Sequence, residues 1–304
     1  MAGLVPAIHA LLLTRAYGVD ARHIRAFTPV FRRAMAGHDE GRKCVMDLGI
    51  KGRKAIVCAS SRGLGYGCAM ALAEAGCEIV LNGRDGKRLE EAADEIKKAT
   101  GAKVIAVAAD VATPDGQKAL FAACAEPDIL VNNNAGPPFR DFRELDRQKI
   151  LDGVTGNMVV AIELIQKCID PMVKKKFGRI VNITSSSVKM PIPGLDLSSG
   201  ARAGLTSFLA GVARTVANSN VTINSIQPGA FATDRLKSNM ELNAKKANIT
   251  VEQAEQQRLA TIPARRFGTP AEFGAACAFL CSAHAGYITG QNLLIDGGMV
   301  PVAF

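Results

Sequence analysis

A glycine-rich turn is the first place where this sequence could do chemistry. Residues 58–67 read Cys-Ala-Ser-Ser-Arg-Gly-Leu-Gly-Tyr-Gly, after a short apolar run and before a segment with a helical pattern. Glycines at such a turn let the backbone approach a pyrophosphate, and the N-terminus of the following helix attracts its negative charge. The position of these glycines between a strand and a helix indicates a dinucleotide-binding turn.

Strands that alternate with helices must hold this turn at the edge of a sheet. This alternation predicts right-handed βαβ units and a single doubly wound α/β domain with a parallel sheet of about seven strands. The strands are continuous apolar runs, which is typical of strands buried on both faces. We predict strands over residues 54–60, 78–82, 103–108, 129–132, 179–183, 221–226 and 292–295, and helical segments that include 65–75, 88–99, 149–176 and 202–217.

The composition limits the classes of function. Of the 304 residues 48% are hydrophobic, Trp is absent and aromatics are only 5%, so the core must consist of aliphatic side chains. The net charge is +9, but outside residues 1–46 the basic residues are spread without a block, which argues against nucleic-acid binding. A modest positive field would suit an anionic cofactor or an acyl-carrier substrate, and a solvated surface explains it equally well.

The cysteines and the first residues complete this outline. The eight cysteines show no C-x-x-C spacing, so we expect no metal site and a reduced cytoplasmic setting. No apolar run reaches the length of a membrane span. Residues 1–46 are Arg-rich, and we expect an extension outside the fold that is poorly ordered, with a domain over 47–304. A transit-peptide-like leader and a true start at Met46 stay open as alternatives.

Several further segments, together with the turn, resemble the short-chain dehydrogenase/reductase family across about residues 50–300. They include residues 133–136 (Asn-Asn-Ala-Gly), the Pro228-Gly229 pair with Thr233, and residues 287–298. The 3-oxoacyl carrier-protein reductase branch is the most similar. The resemblance implies a Rossmann-type fold and a small-molecule substrate. It also implies these cofactor-binding residues: Ala59, Ser61, Arg62, Gly63, Leu64, Gly65, Arg84, Asp110, Val111, Asn134, Ala135, Gly136, Arg202, Pro228, Gly229 and Thr233.

Two features bear on the cofactor. Ala59 stands where the family has its first glycine, which is tolerable at negative φ and costly at positive φ; we expect a slightly reshaped turn that still works. Sites selective for NAD place an acid after the second strand, and here residues 82–84 read Asn-Gly-Arg. By resemblance, Arg62 and Arg84 could clamp a 2′-phosphate, so we favour NADP(H) over NAD(H), although both could be ordinary surface arginines.

The catalytic positions depart from the family. Ser185 and Asn157 fall on its catalytic Ser and helix Asn, whereas its Tyr-x-x-x-Lys pair falls on Ser198 and Arg202. Tyrosine ionises near pKa ~10 and an aliphatic hydroxyl near ~16, a gap on the order of 8 kcal/mol. Because general acid catalysis contributes only about 10²–10⁴-fold, Ser198 is a poor substitute acid. Arg202 can still donate to a ribose or polarise a carbonyl.

No other side chain is an obvious replacement acid. The three tyrosines (17, 66 and 287) and the four histidines lie in unrelated segments. Lys189 and Asp196 fall in the loop near the substrate position and could act through a water, or they could be plain exposed charges.

Three functions stay open. The first is an NADP(H)-dependent reductase of a carbonyl, such as a 3-oxoacyl thioester, with an atypical proton donor. The others are an enoyl or dienoyl thioester reductase and a non-catalytic cofactor-binding pseudoenzyme. By resemblance, we expect a homo-oligomer, a tetramer or dimer, that packs through helices at about 145–176 and 199–217. There, Ala203, Leu205, Phe208, Leu209 and Val212 would form a buried face in the core or the interface.

Overall fold

The computed structural model describes residues 46–302, and these form a three-layer α/β domain around one parallel sheet. The strands are β1 (Lys54–Val57), β2 (Glu78–Gly83), β3 (Val104–Ala108), β4 (Ile129–Asn132), β5 (Gly178–Ile183), β6 (Val221–Pro228) and β7 (Asn292–Ile295). They lie in the order β3-β2-β1-β4-β5-β6-β7, and every neighbouring pair is parallel. The predicted fold class is confirmed. The predicted N-terminal extension, apart from Met46, lies outside the described residues.

Helices cover both faces of the sheet. They are α1 (Gly63–Glu74), α2 (Gly86–Thr100), α3 (Pro114–Ala123), α4 (Arg147–Val154), α5 (Val160–Lys175), α6 (Asp196–Val216), α7 (Asp234–Ala247), α8 (Val251–Ala260) and α9 (Pro270–Cys281). One core lies between the sheet and α1, α2 and α9, and the other between the sheet and α3, α5 and α6. Both are built mainly from Ala, Val, Ile and Leu, as the composition requires. None of the described helices is long and apolar enough to cross a membrane.

Three local differences from the predicted elements bear on the site. β1 ends at Val57 instead of residue 60, because the chain turns at Cys58 and Ala59. The segment 149–176 is not one regular helix: a π-helical turn at Thr155–Val159 separates α4 from α5. α6 begins at Asp196, upstream of the predicted start at residue 202.

The face predicted on α6 is only partly buried in this chain. Leu205 and Leu209 belong to the core, with 3% and 4% of their surfaces exposed. Phe208 is 46% exposed, so it lies outside the core of the single chain, and for this side chain the interface alternative remains a prediction.

Candidate functional site

Buried polar contacts fix the turn after β1. The Ser60 backbone N–H donates to Asn82 O at 2.8 Å, and the Asn82 N–H donates back to Ser60 Oγ at 3.1 Å. The Asn82 amide also donates to two carbonyls at the end of β3, at 3.2 and 2.9 Å. From the end of β4, Asn133 Nδ2 donates to Ala59 O at 3.3 Å. The ends of four strands therefore determine the shape of this one turn.

The first turn of α1 is open to an anion. No side chain caps it at Arg62, and it contains no acidic residue, whereas Asp or Thr side chains cap α2, α3, α7, α8 and α9. Gly63 has φ +60°, and a Cβ on Gly65 would lie 2.3 Å from Ala59 O, so both positions require glycine. Backbone N–H groups in such a cradle fit a dinucleotide pyrophosphate.

Ala59 occupies the left-handed region, with φ +45°. A positive φ is the unfavourable case for alanine at this position, because the left-handed conformation costs an L-residue roughly 1–2 kcal/mol. The hydrogen bonds around the turn hold Ala59 in that conformation.

Substituting Ala59→Gly is therefore expected to raise the free energy of unfolding by about 0.5–1 kcal/mol. The relief of strain exceeds the extra chain entropy that glycine brings to the unfolded state. Urea denaturation measures the change. The matched control is Ala210→Gly at an exposed position of α6, which should lower the stability by about 1 kcal/mol. If Ala59→Gly and Ala210→Gly lowered the free energy of unfolding by similar amounts, Ala59 would not be strained.

A cleft of 530 Å³ opens beside the turn. Four predicted cofactor-binding residues line it: Ser61, Arg62, Gly63 and Thr233. Thr233 lies opposite the turn, where its Cγ2 would be 3.5 Å from a Cβ on Gly63. The cleft thus joins the phosphate-binding turn to the segment that begins α7.

The charges of this cleft differ from the predicted clamp. Asp234 Oδ2 accepts from Arg62 Nη1 at 3.1 Å and from Arg88 Nη2 at 3.0 Å. Arg84 is exposed and does not line the cleft, whereas Arg88 does. Asp85, the acid nearest to the end of β2, caps α2 by accepting the Arg88 N–H at 3.2 Å. Arg62 and Arg88 are therefore the two guanidinium groups placed to meet a phosphate here.

The Asn-Asn-Ala-Gly segment follows β4 at the same edge of the sheet. Asn134 Nδ2 donates to Gly156 O at 3.0 Å, which ties the segment to the π-helical turn. Asn134 Oδ1 accepts the Ala135 N–H at 2.8 Å. Gly136 lies against the guanidinium of Arg235, whose Nη2 would be 3.0 Å from a Cβ at this position.

The remaining predicted cofactor residues lie along the edge or behind it. Pro228 ends β6, and the Gly229 N–H donates to the end of β7 at 2.9 Å. Asp110 Oδ1 accepts a backbone N–H two residues further on, at 2.9 Å. The side chain of Val111 is buried in one core, and the half-buried side chain of Leu64 packs against the other.

Ser198 and Arg202 form a buried pair in the first turns of α6, with 6% and 8% of their surfaces exposed. Arg202 Nε donates to Ser198 Oγ at 3.2 Å, and Nη1 donates to the carbonyls of Ile183 and Thr184 at 2.7 and 3.0 Å. In the part of the chain that the structure describes, no carboxylate pairs with Arg202. Burial, and to a smaller extent Arg235, lowers the pKa of Arg202 to about 10, so this side chain stays charged at neutral pH.

A cavity of 260 Å³ reaches Ser198. Asn157 and Ala135 share its lining with Ser198, next to apolar and charged side chains. The apolar ones are Pro137, Pro138, Leu145, Leu195 and Leu197, and the charged ones are Arg140, Lys149 and Asp152. A small molecule in this cavity would therefore meet the Ser198 hydroxyl.

Asn157 lines the cavity together with Ser198 and a smaller void together with Arg202. It lies in the π-helical turn, a distortion that is frequent at functional sites. Its Nδ2 donates to Gly153 O at 2.9 Å, whereas its Oδ1 is buried without a partner among the described residues. Asn157 and Arg202 also line a void of 20 Å³, which is large enough for one water molecule.

Ser185 and the replacement acids complete the inventory of predicted positions. Ser185 follows Thr184 at the end of β5, and its Oγ accepts the Ser187 N–H at 3.1 Å. Tyr66 donates to Glu95 at 3.0 Å, and burial and this contact raise its pKa to about 12, which makes it a weaker acid. Tyr287 is fully exposed. Neither tyrosine lines the 260 Å³ cavity.

Sequence reasoning missed three residues. Asn82 is a polar residue near the end of an apolar run, and this signal could have indicated its role as a tether. Arg88 lies four residues after Arg84, in the first turn of α2, and this short separation could have pointed to the same phosphate. No sequence signal placed Arg235 beside Gly136.

Comparisons with known proteins show what the chain is similar to. A family model described as "Enoyl-(Acyl carrier protein) reductase" matches residues 58–300. The NADPH-dependent reductase BacG of Bacillus subtilis is 32% identical over 251 residues, covering 81% of this chain and 97% of its own. A 3-oxoacyl-[acyl-carrier-protein] reductase of Synechocystis is 35% identical over 256 residues, covering 81% and 96%. The solved structure of L-sorbose reductase from Gluconobacter frateurii, complexed with NADPH and L-sorbose, is 30% identical with a TM-score of 0.80, covering 84% and 100%.

Proposed function

Because the chain belongs to the short-chain dehydrogenase/reductase family, we propose that it is an NADP(H)-dependent oxidoreductase that reduces a carbonyl group. The observation that carries this proposal is the uncapped glycine cradle of α1 at the same sheet edge as the Ser198–Arg202 pair. The names of the relatives support NADP(H) as the cofactor. Among carbonyl compounds, 3-oxoacyl thioesters are one candidate class, because some relatives are 3-oxoacyl carrier-protein reductases.

The residues of the cleft fit the dinucleotide. The backbone N–H groups at Gly63 and Gly65 would hold the pyrophosphate. Arg62 and Arg88 would bind a 2′-phosphate through the guanidinium N–H groups that their contacts with Asp234 leave free. When bound, the reduced nicotinamide supplies a hydride to the carbonyl carbon.

Ser198 would donate its hydroxyl hydrogen to the substrate oxygen, since its Oγ already accepts from Arg202. Stabilisation of an alkoxide by the N-terminus of α6 contributes about 0.3–2 kcal/mol. A charge-assisted hydrogen bond from Arg202 contributes about 1.5–3 kcal/mol. Their sum falls short of the gap on the order of 8 kcal/mol between a serine and a tyrosine. Ser198 would therefore first polarise the carbonyl by its hydrogen bond and transfer its proton to the substrate oxygen only after the hydride has been added. Water that enters the cavity would then return a proton to Ser198.

The same shortfall supports a second candidate, a non-catalytic subunit that binds NADP(H). Both candidates require the dinucleotide cleft, and they differ in turnover. Enoyl and dienoyl thioesters are further candidate substrates of the catalytic form.

The test compares NADPH binding with NADPH oxidation in the purified protein. We expect fluorescence titration to give saturable binding, and oxidation to occur with at least one member of a panel of oxoacyl, enoyl and dienoyl thioesters and free ketones. Binding without oxidation of NADPH on the whole panel would favour the non-catalytic candidate. Failure to bind either dinucleotide at millimolar concentration would refute both.

The same titration tests the cofactor preference. Replacing Arg62→Met is expected to lower the affinity for NADPH about tenfold or more and to leave NADH binding nearly unchanged, because a charge-assisted contact to the 2′-phosphate is lost. Arg143→Met removes an exposed arginine that pairs with Asp141 outside the cleft, and serves as the control. Equal losses for both dinucleotides would argue against a 2′-phosphate contact.

We also infer a homo-oligomer that packs through α4 and α6. Three apolar side chains on these helices are exposed in the single chain: Phe208 by 46%, Leu151 by 47% and Ile150 by 42%. Burial of such side chains between copies would be favourable.

A further inference from the structure

The guanidinium of Arg235 packs against Gly136, which lies between two residues that line the substrate cavity. Arg235 is the second residue of α7, and its Nη1 and Nη2 would be 3.2 and 3.0 Å from a Cβ on Gly136. The neighbours of Gly136 in the chain, Ala135 and Pro137, both line the 260 Å³ cavity that Ser198 also lines. The guanidinium therefore lies beside the cavity in which the carbonyl substrate would be held.

The acid next to Arg235 in the sequence does not neutralise it. Asp234 is already held by Arg62 and Arg88, at 3.1 and 3.0 Å. Within residues 46–302, Arg235 forms no ion pair, and neither does Arg202. The catalytic end of the cleft thus contains two guanidinium groups without a carboxylate partner.

The acid that lines the cavity does not change this balance. Asp152 accepts from Gln148 Nε2 at 2.8 Å. Two cations, Arg140 and Lys149, share the lining with Asp152, and Lys149 pairs with Asp146. The charged residues that line the cavity, two cations and one acid, are therefore net positive.

This charge favours an anionic ligand. Arg202 is buried, and the repulsion from Arg235 helps to lower its pKa. Arg235 is exposed, and the positive field that it shares with Arg202 attracts an anion to this end of the cleft. A neutral thioester would leave both guanidinium groups uncompensated.

We propose that the substrate carries a carboxylate near its carbonyl group, and that Arg235 binds this carboxylate in the positive field of Arg202. This inference rests on the proposed function, because it assigns a ligand to the same cavity. The shared chemistry is an oxyanion, and the cofactor pyrophosphate is the other source of one. The glycine cradle at Gly63 and Gly65 already provides for the pyrophosphate, so the charge at Arg235 is available to the substrate.

The test measures binding to the complex with NADP⁺, in which an oxo acid cannot be reduced, so it does not depend on turnover. Calorimetry compares 2- and 3-oxo acids of four to eight carbons with neutral amides of the same shape, such as acetoacetate with acetoacetamide. We expect at least one acid to bind about 10- to 100-fold more tightly than its amide, which is the range of a charge-assisted hydrogen bond. Arg235→Met should abolish this difference. The control is Lys237→Met, which removes an exposed cation from the same helix and should preserve it.

Each result decides the assignment. Equal binding of acids and amides by the NADP⁺ complex, or no binding of any acid, overturns the inference while the proposed function stands. If Arg235→Met weakens NADP⁺ binding and leaves the preference for the acid intact, the oxyanion belongs to the cofactor and the inference is also overturned. Failure of NADP⁺ and NADPH to bind refutes the proposed function itself.

Discussion

Replacing Ser198→Tyr together with Arg202→Lys is expected to raise kcat for carbonyl reduction by about 10²–10⁴-fold. A tyrosine hydroxyl beside a lysine is a far stronger acid than the Ser198 hydroxyl beside Arg202. The ring would extend into the 260 Å³ cavity that Ser198 lines, and the lysine keeps the positive charge behind it. Steady-state kinetics at saturating NADPH, with the carbonyl compounds of the panel, measure the gain.

The control for this variant is Ser198→Phe with Arg202→Lys, which adds the same ring without the hydroxyl. Its kcat should not exceed that of the unsubstituted protein. Equal rates in the two double variants would show that proton supply does not limit the reaction. The kcat of the unsubstituted protein also distinguishes the two candidate functions. A gain above measurable turnover fits a working reductase, whereas activity created from none fits a cofactor-binding protein that lost its chemistry.

Gly65→Ala is expected to abolish dinucleotide binding and to lower the free energy of unfolding by about 1–3 kcal/mol. The added Cβ would lie 2.3 Å from Ala59 O and 3.0 Å from Asn133 Nδ2, so the turn must move away from the contacts that shape it. That movement would displace the backbone N–H groups of α1 that face the pyrophosphate. NADPH fluorescence titration and urea denaturation measure the two losses.

Gly211→Ala is the matched control for this substitution. Gly211 lies in α6, and a Cβ there would meet nothing within 4 Å. The same exchange should therefore stabilise the protein by about 1 kcal/mol and leave NADPH binding unchanged. NADPH affinity within about threefold of the parent in Gly65→Ala would show that the cofactor does not use this turn.

Much of the fold could be predicted because the signals are local. The alternation of apolar runs with helical segments predicted the parallel sheet, and β4 and β7 have the predicted bounds. The predicted bounds of strands and helices were wrong where tertiary contacts override the local sequence pattern. The apolar run at 54–60 contains only a four-residue strand, because Ala59, in the turn that follows it, donates its N–H to Asn82 and accepts from Asn133.

Some features of the candidate site, like some features of the fold, could be predicted from the sequence, and others could not. The pairing of Ser198 with Arg202 came from the family resemblance, whereas their placement on one helix was not predicted, because the predicted helix began at residue 202 and α6 begins at Asp196. Their burial, the engagement of Arg202 Nη1 by two β5 carbonyls and the position of Asn157 in a π-helical turn required the packed structure. By resemblance the sequence placed a 2′-phosphate contact at Arg62 and Arg84; Arg62 lines the cleft, and so does Arg88, whereas Arg84 does not.

Patterns along the chain were enough to predict the class of fold and a glycine-rich turn suited to a dinucleotide, and the resemblance puts Ser198 and Arg202 where the family has tyrosine and lysine. The strain at Ala59 and the contacts of Asp234 with Arg62 and Arg88 emerge only in the folded chain. So does the position of Arg235 against Gly136, beside the cavity, where it forms no ion pair with any of residues 46–302. Sequence patterns report local backbone preference and burial. Charges from distant segments meet only where the carboxyl ends of parallel strands bring their loops together.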